Sequence, residues 1–202
     1  MAASGAAAHA AGPQGSPALK VASELVRQSG ASGGVCAVIG AADAELPMAL
    51  SQQGRFVVHC LDRDPARCES LRKAICERGA YGTVSAGTFD GAALPYTDNL
   101  INVAVLAGEP VGAAEALRVL APLGTGFVRD AGDAARAELR AAGAEDLSVL
   151  DAGGTKWLAF RKPWPADIDE WTHYLHAADG NPVAADRVVG PPRHYQWLAG
   201  PT

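Results

Sequence analysis

The stretch Val35-Cys36-Ala37-Val38-Ile39-Gly40-Ala41-Ala42-Asp43-Ala44 decides the fold. Its first half is apolar without alternation, the pattern of a strand buried on both faces of a parallel sheet. Gly40 closes that strand and lets the backbone turn tightly. A second apolar run, Phe56-Val57-Val58-His59-Cys60-Leu61, ends on Asp62. Strand, glycine, helix and a second strand closed by an acid form the frame of a nucleotide-type cofactor site. Asp62 follows Gly40 by 22 positions, close to the roughly 20 that a ribose-binding carboxylate needs. The turn itself is poor in glycine.

Outward from this unit, strands and helices alternate. Leu19, Ala22, Leu25 and Val26 predict a helix over 18–28, ended by Gly30. A helix over roughly 44–53 follows the first strand and carries Pro47 in its first turn, where a missing N–H costs little. Asp64-Pro65 opens the next helix as N-cap and first residue, with Cys68, Leu71, Ala74 and Ile75 as its apolar stripe. Strands are expected at 81–86, 100–106 and around Gly126-Phe127-Val128. Helices are expected at 113–120, broken by Pro122-Leu123-Gly124, and at 133–142, capped by Asp133. Strands at 147–150 and 156–160 around Asp151-Ala152-Gly153-Gly154 predict a closing hairpin.

The 202 residues suffice for one domain and an appendage, with 49% hydrophobic and 19% charged residues. A net charge of -5 gives no electrostatic footprint for nucleic acid. No apolar run approaches the roughly 20 residues of a membrane span. Cys36, Cys60, Cys68 and Cys76 fit neither a zinc ribbon nor a disulfide framework. They read as small buried thiols of a reducing, cytoplasmic compartment. Residues 1–17, rich in Ala, Gly, Ser and Pro, lack the basic and apolar regions of a signal peptide and predict a disordered leader.

Four segments together resemble class I S-adenosylmethionine-dependent methyltransferases over 18–162. They are Val38-Ile39-Gly40, Asp62, Asp90-Gly91-Ala92-Ala93-Leu94-Pro95-Tyr96, and Glu115-Ala116-Leu117-Arg118-Val119-Leu120-Ala121-Pro122-Leu123-Gly124. The last two are the most specific, since the family typically has an acid before Leu-Pro-aromatic and a Glu…Arg-Val-Leu-x-Pro-Gly-Gly run. The resemblance implies a three-layer α/β, Rossmann-like sheet of about seven strands, mostly parallel, with a C-terminal hairpin. It implies S-adenosylmethionine as cofactor and transfer of its methyl group to a small-molecule or otherwise unidentified acceptor. Gly40 and Ala42 would shape the cofactor turn, Asp62 hold the ribose, Asp90 accept from the adenine amine, and Phe89 and Leu94 wall the base. The alternative reading of Asp62 is a solvated strand-end acid or a cap to the next helix, and that of Asp90 a turn residue before Gly91.

The family's first turn usually reads acid-x-Gly-x-Gly-x-Gly, and Val38, Gly40, Ala42 and Ala44 occupy those places. The acid is missing, and Ala42 adds a methyl where backbone should approach the ligand. Asp43 and Glu45 are replacement carboxylates or merely acids at a helix start. No residue is singled out as a catalytic base. A non-catalytic scaffold or ligand-sensing module on the same fold is the second expectation.

The composition changes near residue 163, and residues 163–202 hold three of the four tryptophans. Trp164-Pro165-Ala166-Asp167-Ile168-Asp169-Glu170-Trp171-Thr172-His173-Tyr174-Leu175-His176 and Val189-Gly190-Pro191-Pro192-Arg193-His194-Tyr195-Gln196-Trp197 resemble the start of a quinoprotein-like β-propeller of the kind found in bacterial multidomain proteins. The match is shorter than one blade, and a lone blade cannot bury its faces. Either the chain is a fragment of a longer protein, with docking to a propeller domain, or the tail folds back on the first domain. His173, His176 and His194 lack a carboxylate fixed beside them and are not read as a metal site.

Overall fold

The computed structural model describes residues 15–91, 93–169, 172–176, 178–180, 182–184 and 187. The chain divides into two compact units, Met1–Pro163 and Trp164–Thr202. In the first, the elements run α1 (Pro17–Ser29), β1 (Gly33–Ile39), α2 (Glu45–Ser51), β2 (Arg55–Asp62), α3 (Pro65–Glu77), β3 (Val84–Thr88) and β4 (Ile101–Leu106). They continue with α4 (Ala113–Val119), β5 (Leu120–Arg129), α5 (Asp133–Ala141), β6 (Glu145–Ala152) and β7 (Thr155–Arg161). One seven-stranded sheet has the order β3-β2-β1-β4-β5-β7-β6. The first five of these are mutually parallel, and β7 runs antiparallel to both its neighbours. This is the expected Rossmann-like α/β sheet with its terminal hairpin.

The sheet separates two apolar layers. Successive residues of β1 point to opposite faces, so Val38 joins Leu25, Val58, Leu71 and Ile75 in one cluster. Ile39 joins Leu61, Ile101, Leu117, Leu139 and Phe160 in the other. Each fully buried Leu, Ile or Val contributes about 1.5–3 kcal/mol. Helices α1, α2 and α3 supply the first layer, and α4 and α5 the second.

Local chemistry sets most boundaries. Ser16 Oγ accepts from Leu19 N and Pro17 opens α1, one residue before the expected start. Asp64 caps α3 through Ala66 N at 2.9 Å, with Pro65 first in the helix. Gly153 and Gly154 take φ of 64° and 78°, the two positive values that a two-residue hairpin turn requires. Asp151 Oδ1 braces that turn by accepting from Gly154 N at 3.0 Å.

Several expectations are corrected. The third strand starts at Val84 rather than Tyr81, because Val84 N bonds Ala80 O at 2.9 Å and closes a turn that leaves Tyr81 exposed. Pro122-Leu123-Gly124 does not break a helix. Instead α4 passes directly into β5 at Leu120, and these residues form an irregularity within the strand, where the register with β4 shifts. Leu123 takes φ 63° there, and Lys162 O accepts its N–H at 3.0 Å. Asp133 is the first residue of α5 and not its cap, which is Gly132. Cys36, Cys60 and Cys68 are buried free thiols, but Cys76 is exposed. Burial pushes the Cys36 and Cys60 thiols up, Cys60 to about 12.

In the second unit, Thr172 N and His173 N both bond His176 O, at 3.0 and 3.2 Å. His176 Nε2 lies 2.6 Å from Asp169 Oδ2, so a carboxylate does stand beside this histidine, contrary to the expectation. Among the described residues, no group of three His, Cys, Asp or Glu is placed to hold a metal. His194 and the segment 189–197 lie outside the described residues, as do residues 1–14 of the expected leader. Among the described residues, no helix is long and apolar enough to cross a membrane.

Candidate functional site

Strand order reverses between β1 and β4, and the crevice outside the carboxyl ends of the strands at such a point is where open α/β sheets bind ligands. Register brings the candidates to that edge. Ile39 lies opposite Leu61 and Leu106, and Asp62 opposite Thr88. Gly40, Asp62, Phe89 and Asp90 therefore follow or end adjacent strands. Gly40 N donates to Leu61 O at 2.8 Å, Phe89 N to Asp62 O at 3.2 Å, and Ala107 N to Ile39 O at 2.8 Å.

Gly40 takes φ +74°, and a Cβ there would sit 2.2 Å from Glu109 N and 2.9 Å from Gly108 Cα. The loop after β4 thus lies directly on the β1 turn, and only glycine fits between them. Ala42, by contrast, does not take a positive φ, so its conformation needs no glycine. It is exposed and lines two cavities. One, of about 330 Å³, is bordered by Pro17, Asp43, Ala107 and Arg129; the other, of about 180 Å³, by Arg67, Ser70 and Leu71.

Asp62 is buried at 1% exposure. Its Oδ1 accepts from Asp64 N at 2.8 Å and from Arg67 Nε at 3.0 Å, with Arg67 Nη2 2.8 Å away. Its Oδ2 is buried with no hydrogen-bond partner. The capping task falls to Asp64, so Asp62 is not the α3 cap. An ionised carboxylate taken out of water requires compensation. Arg67 supplies it on one oxygen only. The hydrogen bond and charge of Asp62 in turn raise the Arg67 pKa.

Arg67 Nη2 also reaches Glu109 Oε1 at 2.7 Å, and Glu109 Oε2 lies 3.5 Å from Arg63 Nε. Arg63 Nη2 donates to Gly91 O at 3.1 Å and Pro110 O at 3.2 Å, and its guanidinium sits 5.7 Å from the centre of the Phe89 ring. Phe89 is half-buried and Asp90 exposed beside it. Sequence reasoning missed Arg63, Arg67 and Glu109. Their only signal was two arginines shortly after the strand-end acid, since Glu109 arrives from a loop 47 positions beyond Asp62.

Two further groups support the site from behind. Arg118 bonds Glu115 through Nε and Nη2, both at 2.7 Å. It also reaches Tyr96 O, Asp98 Oδ1 and Leu94 O at 2.9, 2.6 and 3.2 Å. Glu115 Oε1 also accepts from Leu94 N at 2.6 Å. The two segments most specific to the resemblance are thus fastened to each other. The Arg118 hydrogen bond holds the Glu115 pKa below the usual carboxylate value. Tyr96 Oη lies 2.9 Å from His59 Nδ1, with the rings edge to face. Burial lowers the His59 pKa and raises that of Tyr96.

Val38 is fully buried, so the family's acid has no counterpart on this strand. Asp43 Oδ1 accepts from Glu45 N at 2.9 Å, closing the start of α2, and Glu45 pairs with Arg78. Both acids have local structural tasks.

The chain matches no protein-family model and no curated protein. Its fold is similar to solved structures at low sequence identity. A candidate S-adenosyl-L-methionine-dependent methyltransferase of Methanococcus maripaludis is 18% identical, covering 75% of this chain and 88% of that one at a TM-score of 0.62. A SAM-dependent methyltransferase from Aquifex aeolicus is 14% identical, covering 72% and 91% at 0.58. The [4+2]-cyclase SpnF is 16% identical, covering 73% and 82% at 0.60. At these identities the likeness shows the fold, a class I methyltransferase fold, and the presence of a cyclase among the neighbours shows that the fold alone fixes no reaction.

Proposed function

We propose that this chain binds S-adenosylmethionine at the β1–β4 switch point and transfers its methyl group to an acceptor that docks beside it. The observation that carries this reading is Asp62 Oδ2, a buried acceptor with no partner, at the end of the second strand, where a ribose-binding carboxylate would stand. A ribose hydroxyl is a donor of the right kind for that oxygen. Gly40 supports the reading by making a turn that admits no side chain. Phe89 offers an apolar face and Asp90 an exposed acceptor on the adjoining loop. When bound, S-adenosylmethionine supplies an activated methyl on sulfonium sulfur, so alignment of an acceptor can suffice without a protein base.

Calorimetric titration of the full chain with S-adenosylmethionine and S-adenosylhomocysteine tests the proposal. Both should bind, and Asp62→Asn should weaken them by about tenfold or more, as loss of a charge-assisted hydrogen bond implies. Absence of heat and of thermal shift at millimolar ligand would overturn it. The buried Val38 in place of an acid favours a second reading, a ligand-sensing module that binds without transfer. Binding of both ligands, with no methyl transfer to any acceptor tried, would favour that reading.

A further inference from the structure

We propose that Arg67 and Glu109 form a latch that closes the nucleoside site by occupying Asp62, so that a ribose binds only after Arg67 swings away. The inference rests on the cofactor reading above and adds the regulation of that site. Three observations carry it. Asp62 Oδ2 is unpartnered yet shielded from solvent, so a ligand hydroxyl cannot meet it until something moves. The side chain bound to the same carboxylate, beside the Asp64 N–H, is Arg67, which also reaches Glu109 Oε1 at 2.7 Å from the loop after β4. Arg63 continues the bridge by bonding Glu109, Gly91 O and Pro110 O, which ties the loops after β2, β3 and β4 across the crevice.

The parts have the exposure a latch requires. The Arg67 and Arg63 side chains are 52% and 41% exposed, whereas those of Glu109 and Asp62 are 15% and 1% exposed. The cations can swing into water while the anions stay seated. Departure of Arg67 leaves the buried Asp62 carboxylate uncompensated, an unfavourable state that a pair of ribose hydroxyls relieves. Closed and ligand-bound forms therefore compete for one carboxylate, and anything that weakens the Arg67 contacts shifts the balance toward the ligand.

The test uses S-adenosylhomocysteine as probe on the full chain, with folding of each variant checked by circular dichroism. Arg67→Met should tighten binding by about fivefold, the upper end of the range for a partly exposed ion pair. Glu109→Gln should tighten it less, by about threefold, because Asp62 still holds Arg67. Arg67→Lys, which keeps the charge, should stay near wild type. Raising ionic strength should strengthen wild-type binding by screening the exposed pairs and leave Arg67→Met unchanged. Measurable wild-type binding that Arg67→Met leaves equal or makes weaker overturns the latch and spares the cofactor reading. Equal tightening by Met and Lys also overturns it. If neither wild type nor Arg67→Met binds the probe, the cofactor reading falls and the latch falls with it.

Discussion

Two small residues of one turn behave differently, and the difference is geometric. Gly40 stands where β1 leaves the sheet at positive φ, against the backbone of Gly108 and Glu109. Ala42, two positions on, keeps an ordinary backbone and faces open cavities. The missing second glycine is therefore a question of ligand clearance, not of folding. Gly40→Ala should destabilise the chain by about 1–3 kcal/mol, because it combines an unfavourable φ with a backbone clash. The same variant should loosen the β1 turn from the β4 loop. Thermal melts measure the first effect and protection of the Ala107 amide from hydrogen exchange the second. A melting temperature equal to wild type would show that the loop yields freely and that the contact carries no strain. Asp62 was legible in the sequence because strand length and spacing fix a strand-end acid. Its ion partners were not, since Arg67 and Glu109 lie 42 positions apart and meet only once helix α3 and the loop after β4 are folded.

At the scale of elements, the loop from Phe89 to Leu100 crosses between parallel strands without a helix among its described residues. Such crossovers usually carry one. Here side chains take over the task. Arg118 and Glu115 of α4 hold Leu94, Tyr96 and Asp98, and His59 of β2 holds the Tyr96 hydroxyl. Arg118→Met should lower the melting temperature and weaken nucleoside binding together, because the loop it releases begins at Phe89 and Asp90. The effect carries a pH signature. Glu115 has a folded pKa below its ordinary 4.5, chiefly through the Arg118 hydrogen bond. Its contribution is thus present above the unfolded carboxylate value and lost as pH falls through the folded one. The gap in melting temperature between wild type and Arg118→Met should be largest near neutrality and shrink well below pH 4.5. A gap independent of pH would assign the role of Arg118 to packing of its stem. The motif that holds Arg118 was visible in the sequence. Its partners, mostly backbone carbonyls of a loop without periodicity, left no pattern to read. The direct passage of α4 into β5 was likewise hidden, because Pro122 and Gly124 signal a turn whether it ends a helix or kinks a strand.

For the whole molecule, alternation of apolar strands and helices was enough to give the sheet, since two-faced burial forces helices onto both sides of a parallel core. The switch point between β1 and β4 then sets where a ligand can lie, and the same topology brings the loops after β2, β3 and β4 close enough to close over it. Among the described residues, every member of the two apolar clusters, including the half-buried residues packed on them, lies between Ala18 and Phe160. Both edges of the sheet, β3 and β6, also fall inside those limits. The first unit thus contains its own core, and residues beyond Pro163 should contribute little to its stability. A chain ended after Pro163 should unfold in one cooperative transition, within about 2–4 °C of the full chain, the shift that about 1 kcal/mol produces at this size. It should also keep the S-adenosylhomocysteine affinity of the full chain, because Gly40, Asp62, Arg67, Phe89 and Glu109 all precede the cut. Differential scanning calorimetry and titration of the two chains side by side decide the matter. A fall much larger than about 4 °C would make residues 164–202 a structural part of the first domain. A loss of affinity at unchanged stability would instead assign them to the ligand site, and with it the tail's tryptophans and histidines.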